Sequence, residues 1–282
     1  MRFSCCTRST SSTESARPAE RQRGNRQPRY FMLSNAVRFL MVSAAASVVA
    51  LGAAPADACS QLSSGALNFI SAGTPSAAGA VFLTSVQKEE FWSDPDPIVD
   101  AVNDAANMSY YWGSTSPSSE KYYTEFTKPG AIVSLISNIS NVAAGDVLVI
   151  NKTVASGVQT AYGGHTVIVT GPAQQLTTAL NPIYSGTVQW ALPIADSTSS
   201  VHGCSTIWRD SRWTNTCSDF VAGPGTGYMR IYTDTSGVPV GHTWSVTSVS
   251  AGNYFPISST TVPARPFVIG RLNSCPLPTP TP

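Results

Sequence analysis

Charge is scarce in this chain: 12% of its 282 residues are Asp, Glu, Lys or Arg, while 42% are hydrophobic. That balance excludes a disordered, solvated chain and leaves enough apolar material for a core. Histidine is scarcer, with only His165, His202 and His242. No Cys-x-x-Cys spacing, His-Glu-x-x-His pair, calcium loop or phosphate-binding glycine loop occurs. The familiar zinc, calcium and nucleotide motifs are thereby excluded, and we expect no cofactor and no metal. There is no Gly-x-Ser-x-Gly elbow, no local pairing of carboxylates and no internal repeat. The apolar run from Phe39 to Leu51 is too short for a comfortable membrane span of roughly 20 residues.

What charge there is lies unevenly. Residues 1–58 hold eight Arg against three acids, Glu14, Glu20 and Asp57; residues 59–282 hold nine Lys or Arg against thirteen acids, a balance of −4. Nucleic acid is therefore disfavoured as a partner of the folded part. The first 58 residues read as a targeting segment, with Arg38, the apolar run, then Ala56-Asp57-Ala58 as a small-x-small cleavage pattern before Cys59. Met32 is as reasonable a start as Met1. Export to the periplasm or the outside follows, with the membrane met only through that segment. Lipid anchoring at Cys59 is the alternative, and Asp57 fits it poorly.

Four cysteines remain beyond the segment, Cys59, Cys204, Cys217 and Cys275, an even number in an exported chain. Of the three pairings we favour Cys204–Cys217, closing a short loop, with Cys59–Cys275 stapling the ends. The short closure is worth roughly 3 kcal/mol in the chain-entropy picture.

Along the chain, a short helix is expected from Cys59 to Gly79. Val81-Phe82-Leu83 reads as a short strand or a turn of helix. Asp94-Pro95-Asp96-Pro97 starts a helix that runs to about Asn107. Another begins at Ser118 or Ser119 and runs through Phe126. Ile132, Leu135, Ile136 and Ile139 repeat at helical spacing. Then the chain turns to strands: Val147–Ile150, His165–Val169, Val188–Asp196, a hairpin of Tyr228–Tyr232 with Thr243–Val246, and Pro266–Leu272. The segment 275–282 reads as a Pro/Thr tail without core residues. The expected fold is one α+β domain over 59–274, helices first, then a mostly antiparallel sheet with a C-terminal β-hairpin extension.

With other chemistries excluded, a nucleophile–histidine–orienter arrangement is the candidate for catalysis. His165 suits the base: it opens a strand, where its ring can face a helix N-terminus. Asp196 suits the orienter, since it ends the next long strand, and His202 is a second candidate in the loop beyond. His242 reads as structural.

Gly145-Asp146-Val147-Leu148-Val149-Ile150, followed by Gly164-His165-Thr166-Val167-Ile168-Val169, resembles the paired-strand signature of the NlpC-type cell-wall peptidases and their CHAP relatives, papain-like cysteine amidases. In that family a Gly-Asp turn opens one strand, the catalytic histidine opens the next, and a polar orienter follows on a third, here matching Asp196. Tyr110-Tyr111-Trp112-Gly113 is similar to the family's Tyr-x-Trp-Gly segment. The resemblance implies catalysis by His165 and Asp196 and a peptidoglycan or other envelope peptide as partner. It also implies a cysteine at the next helix N-terminus, near Lys121-Tyr122-Tyr123, yet no cysteine lies between Cys59 and Cys204. Three explanations are open: a binding protein that has lost its nucleophile, Cys59 as nucleophile, or a serine such as Ser118 or Ser119. Asp210-Ser211-Arg212 belongs to a C-terminal part similar to exported members of the group, and reads either as a cleft rim or as a surface ion pair. An adhesin or structural β-protein is the third functional class.

Overall fold

Proline belongs in a first helical turn, where its missing N–H is not needed, and a preceding carboxylate can satisfy the free amides. Asp96 does so: it accepts from the Ile98 and Val99 amides at 2.9 and 3.3 Å. The resulting helix passes the expected end at Asn107 and stops at Gly113, whose φ of 60° is left-handed. In the computed structural model the described residues are 59–76, 79–214 and 217–281. The targeting segment of residues 1–58 lies outside them. Among the described residues four helices precede the sheet: α1 (Ser60–Ser71), α2 (Ala80–Trp92), α3 (Pro97–Trp112) and α4 (Ser119–Thr127). Ser118 caps α4 by accepting from the Lys121 amide at 3.2 Å.

The segment around Val81-Phe82-Leu83 is helical throughout, as α2. Phe82, Leu83, Val86 and Trp92 are all buried, as are Thr84 and Gln87. A helix buried on several faces has no polar stripe, so period alone does not mark it.

Among the described residues nine strands form one antiparallel sheet: β1 (Val133–Leu135), β2 (Val147–Ile150), β3 (His165–Val169), β4 (Gln174–Gln175), β5 (Val188–Thr198), β6 (Gly223–Thr233), β7 (Pro239–Thr243), β8 (Tyr254–Pro256) and β9 (Phe267–Leu272). Their order is β1-β9-β2-β3-β5-β6-β7-β8, with β4 beside β5. Successive side chains on a strand face opposite ways. Val147 and Val149 accordingly join the helices in one core, while Leu148 and Ile150 join Leu192, Ile194, Met229 and Ile231 in a second. Burying each such aliphatic side chain contributes about 1.5–3 kcal/mol.

Three expectations are corrected. Residues 132–139 do not form a helix: β1 pairs with β9 through Val133–Leu272, and Ile139–Asn141 is a single 3-10 turn. The apolar spacing was helical, but the open edge of β9 takes a strand partner, and β-branched residues suit it. The hairpin is larger and shifted. β6 begins at Gly223, β7 ends at Thr243, and both continue the main sheet. The Asp234 carboxylate builds their turn by accepting from the Ser236 and Val238 amides, each at 2.9 Å. Lastly, the tail does carry core residues. Leu277 is 2% exposed, its carbonyl accepts from Trp92 Nε1 at 3.0 Å, and the Tyr111 hydroxyl donates to the Pro278 carbonyl.

Both favoured disulfides are present, Cys59–Cys275 and Cys204–Cys217, with Cα separations of 5.3 and 6.0 Å. The Gly-Asp turn before β2 has a structural reason. Gly145 has φ 91°, and a Cβ there would strike the Cys59 carbonyl. Asp146 is buried and grips Arg271 of β9 with both oxygens, Nε–Oδ1 at 2.8 Å and a terminal nitrogen to Oδ2 at 2.9 Å.

His242, on β7, is buried, and neither ring nitrogen has a hydrogen-bond partner among the described residues. Burial, helped by the charge of Arg265, lowers its pKa from 6.5 to about 3. The unfolded chain binds a proton there at higher pH than the folded one. Stability is therefore free of this protonation above 6.5 and is eroded by it as pH falls toward about 3. His242→Phe is expected to stabilise the fold by about 1 kcal/mol at neutral pH, because it removes buried polar atoms without partners. It should also flatten the acid-side decline. Urea denaturation across that pH range checks both; a variant less stable at every pH would contradict them.

Candidate functional site

The β3–β5 ladder pairs Ile168 with Ala195 and Val169 with Ile194. Continuing that register sets Asp196 across from Val167, on the same face as His165 and diagonal to it. Diagonal neighbours on one face are within reach of long side chains. His165 Nε2 and Asp196 Oδ2 are 2.7 Å apart, with Asp196 fully buried and His165 6% exposed. His202 arrives from the loop after β5 and places its Nε2 3.0 Å from the same Oδ2. All three residues singled out in the sequence therefore meet at one carboxylate oxygen.

Arg212 completes the cluster. The sequence offered it as a cleft rim or a surface ion pair; it is buried instead. It donates to Asp196 Oδ1, to the Asp196 carbonyl at 2.7 Å and to Asp210 Oδ2 at 2.7 Å. It also reaches the Gly223 and Gly225 carbonyls at 2.7 and 3.1 Å. Asp210 in turn accepts from the His202 amide at 2.8 Å. The planar guanidinium suits this role, since it offers five N–H donors in a fixed fork.

Proton positions follow from the acceptors. The Trp244 carbonyl can only accept, so His202 Nδ1, at 2.6 Å, carries a hydrogen. Its Nε2 lies against the Asp196 carboxylate. Burial raises the pKa of Asp196, but the charge of His202 and hydrogen bonds from both histidines outweigh it and hold the carboxyl well below 3.8. His165 donates through Nε2, so in the neutral ring Nδ1 presents a lone pair. That tautomer is the one a general base requires.

Nδ1 faces the start of α2. A Cβ on Gly79, the residue preceding α2, would lie 3.7 Å from it. The helix N-terminus that meets His165 is therefore that of α2, not the stretch at Lys121-Tyr122-Tyr123 indicated by the spacing. Tyr122 is fully buried, bonded to Thr84 and Gln87, and burial drives its phenol pKa upward. Cys59 is committed to its disulfide and cannot act as a nucleophile. The Ser118 hydroxyl is used in capping α4, and the Ser119 side chain packs against Gly164. No hydrogen bond joins either serine to His165 among the described contacts.

His165 opens onto a cavity of about 450 Å3. Trp244 walls it, stacking on His202 at 4.2 Å and meeting the His165 ring edge-on at 4.9 Å. Thr198, Ser199, Ser200 and Asn253 line it with neutral polar groups, and Tyr162, Phe255 and Arg265 close the far wall. Sequence reading missed Trp244, Arg265 and Gly79. Trp244 and Arg265 join the site only through folding of distant loops, and the clue to Gly79 was an Ala-rich stretch without a polar side chain. Among the described residues no group of three or more His, Cys, Asp or Glu is arranged to hold a metal ion.

What fold and site define together is an α+β domain carrying a buried histidine–carboxylate relay beside a polar cavity. Comparison with protein-family models, curated proteins and solved structures gave no match.

Replacing Arg212 by Met strands two buried carboxylates. Removing one partner of a buried ion pair costs about 3–5 kcal/mol, so Arg212→Met should lower the stability measured by thermal or urea denaturation by that order. A loss within ~0.5 kcal/mol, typical of exposed positions, would contradict the burial of this cluster.

Proposed function

We propose that this chain is an exported envelope protein of the papain-like, NlpC type that binds cell-wall peptide or glycan in the His165 cavity without cutting it. One observation carries the reading. The relay from Asp196 through His165 is complete at 2.7 Å, yet Nδ1 faces a glycine where a nucleophile would stand. All four cysteines from residue 59 onward are in disulfides, so none offers a thiolate. Helices ahead of an antiparallel sheet, a histidine opening the strand next to the Gly-Asp strand, and a carboxylate on the third strand all support the family reading. Paired cysteines suit an oxidising compartment, and among the described residues no helix is long and apolar enough to cross a membrane.

A second reading, an active peptidase or amidase on stem-peptide amide bonds, is favoured by Ser199 and Ser200, which line the same cavity as His165. One of those hydroxyls would then replace the thiol, with His165 as base and Asp196 as orienter.

The two readings separate in one experiment. Purified protein is incubated with peptidoglycan sacculi, and both co-sedimentation and newly released amino groups are measured. Retention without release is expected, with His165→Ala weakening retention while circular dichroism stays unchanged. Release that disappears in His165→Ala would establish the amidase; failure to co-sediment would remove the cell-wall reading. In parallel, mass mapping after a thiol-directed electrophile should find Cys59, Cys204, Cys217 and Cys275 unlabelled until a reductant is added.

A further inference from the structure

Arg265 lines the His165 cavity, yet it forms no ion pair with any Asp or Glu among the described residues. Its guanidinium lies 3.9 Å from the Tyr162 ring centroid and 3.5 Å from that of Phe255, held between the two faces. Aromatic faces attract a cation and fix its plane, but they accept no hydrogen bonds in that plane. Arg265 Nε is buried and has no hydrogen-bond partner among the described residues. A guanidinium recognises planar anions through two parallel N–H donors, and this one lines the cavity with no carboxylate against it.

The surroundings are built to hold it there. Gln159 pins the preceding residue from both sides, accepting from the Ala264 amide at 2.9 Å and donating to its carbonyl at 2.8 Å. The Arg265 amide donates to the Pro256 carbonyl at 2.9 Å. No carboxylate lines the cavity, whose other walls are neutral hydroxyl, amide and aromatic groups beside His165. Asp196, the acid behind His165, is already matched by Arg212 and His202. The cavity therefore offers one uncompensated cation to whatever enters. By contrast, Arg230, which like Arg212 is buried, is saturated by the carbonyls of Leu180, Asn181 and Ser248 and the amide oxygen of Gln189.

We propose that Arg265 is the carboxylate-recognition residue of the His165 cavity, and that the cavity takes a peptide or acylated amino acid with a free carboxylate. The carboxylate pairs with the Arg265 guanidinium between Tyr162 and Phe255, which leaves the neighbouring amide against Trp244 and His165. Planarity favours a carboxylate, because the two rings restrict approach to the guanidinium plane, where a flat two-oxygen group fits. This deepens the cleft assigned under the proposed function and rests on that reading for the ligand's origin.

The test uses the purified full chain and three probes: N-acetyl-alanyl-alanine with a free C-terminal carboxylate, the same dipeptide as its carboxamide, and inorganic phosphate. Binding is read by calorimetry and by quenching of tryptophan fluorescence. The free acid should bind at least about tenfold more tightly than the amide, the scale of one charge-assisted hydrogen-bonded pair. Arg265→Gln should erase that preference, and Arg265→Lys should restore part of it. Acid and amide binding equally, or neither binding, would overturn the proposal even if Arg265→Gln fails to fold, because the comparison is made on the unaltered chain. Phosphate binding that depends on Arg265, without binding of the acid, would overturn the carboxylate assignment. Sacculi retained while acid and amide are not distinguished would sink this proposal and leave the cell-wall reading standing. An Arg265-dependent preference for the acid without retention on sacculi would do the reverse.

Discussion

The Asp196 carboxylate sits in the interior with no access to water, and three cationic or hydrogen-bearing groups converge on its two oxygens. An anion so placed is tolerable only with its partners present. Those partners come from β3, from the loop after β5 and from the irregular stretch before β6. Arg212 thus ties the described stretch before β6 to the backbone of both strands. Apolar residues of similar volume would stabilise such a site as well or better. The return on this arrangement is placement: it fixes the ring plane and tautomer of His165, and therefore which nitrogen faces the cavity.

The second constraint is closure of the chain. Cys59 and Cys275 are 216 positions apart, and their disulfide draws the start of α1 against the end of the sheet. Gly145 exists where the Cys59 carbonyl passes, and Trp92 and Tyr111 hold the segment beyond Cys275 through its carbonyls. Helix layer, sheet edge and tail are in this way one packing problem. The N-terminus of α2 is presented to His165 from that layer, with the Gly79 amide donating to the Ser197 carbonyl at 2.9 Å.

Local chemistry was readable wherever it is self-contained. Asp96 and Ser118 cap helices because their own side chains meet amides two or three residues on, and β2 announces itself by four consecutive buried aliphatics. His165 and Asp196 could be paired in advance because strand alternation puts them on one face. Arg212 could not be placed, since nothing local distinguishes a buried Asp-x-Arg from an exposed one. The apolar repeat at residues 132–139 misled for a related reason: edge pairing with β9 is a long-range decision that outweighs local period. The nucleophile slot was counted along the chain from Gly113, whereas the helix that reaches His165 begins at Ala80, more than thirty positions earlier. Contact across the sheet, and not spacing, selects it.

Tension offers another view of the Cys59–Cys275 bond. A load applied at residue 59 and downstream of residue 275 would run through two sulfur atoms and bypass the nine described strands. The hydrogen-bonded ladders, including the one that aligns His165 with Asp196, would carry none of it. Tethered at both ends, the domain would act as an inextensible link whose cavity keeps its shape under strain, and reduction of that one bond would turn the same link into a compliant spring.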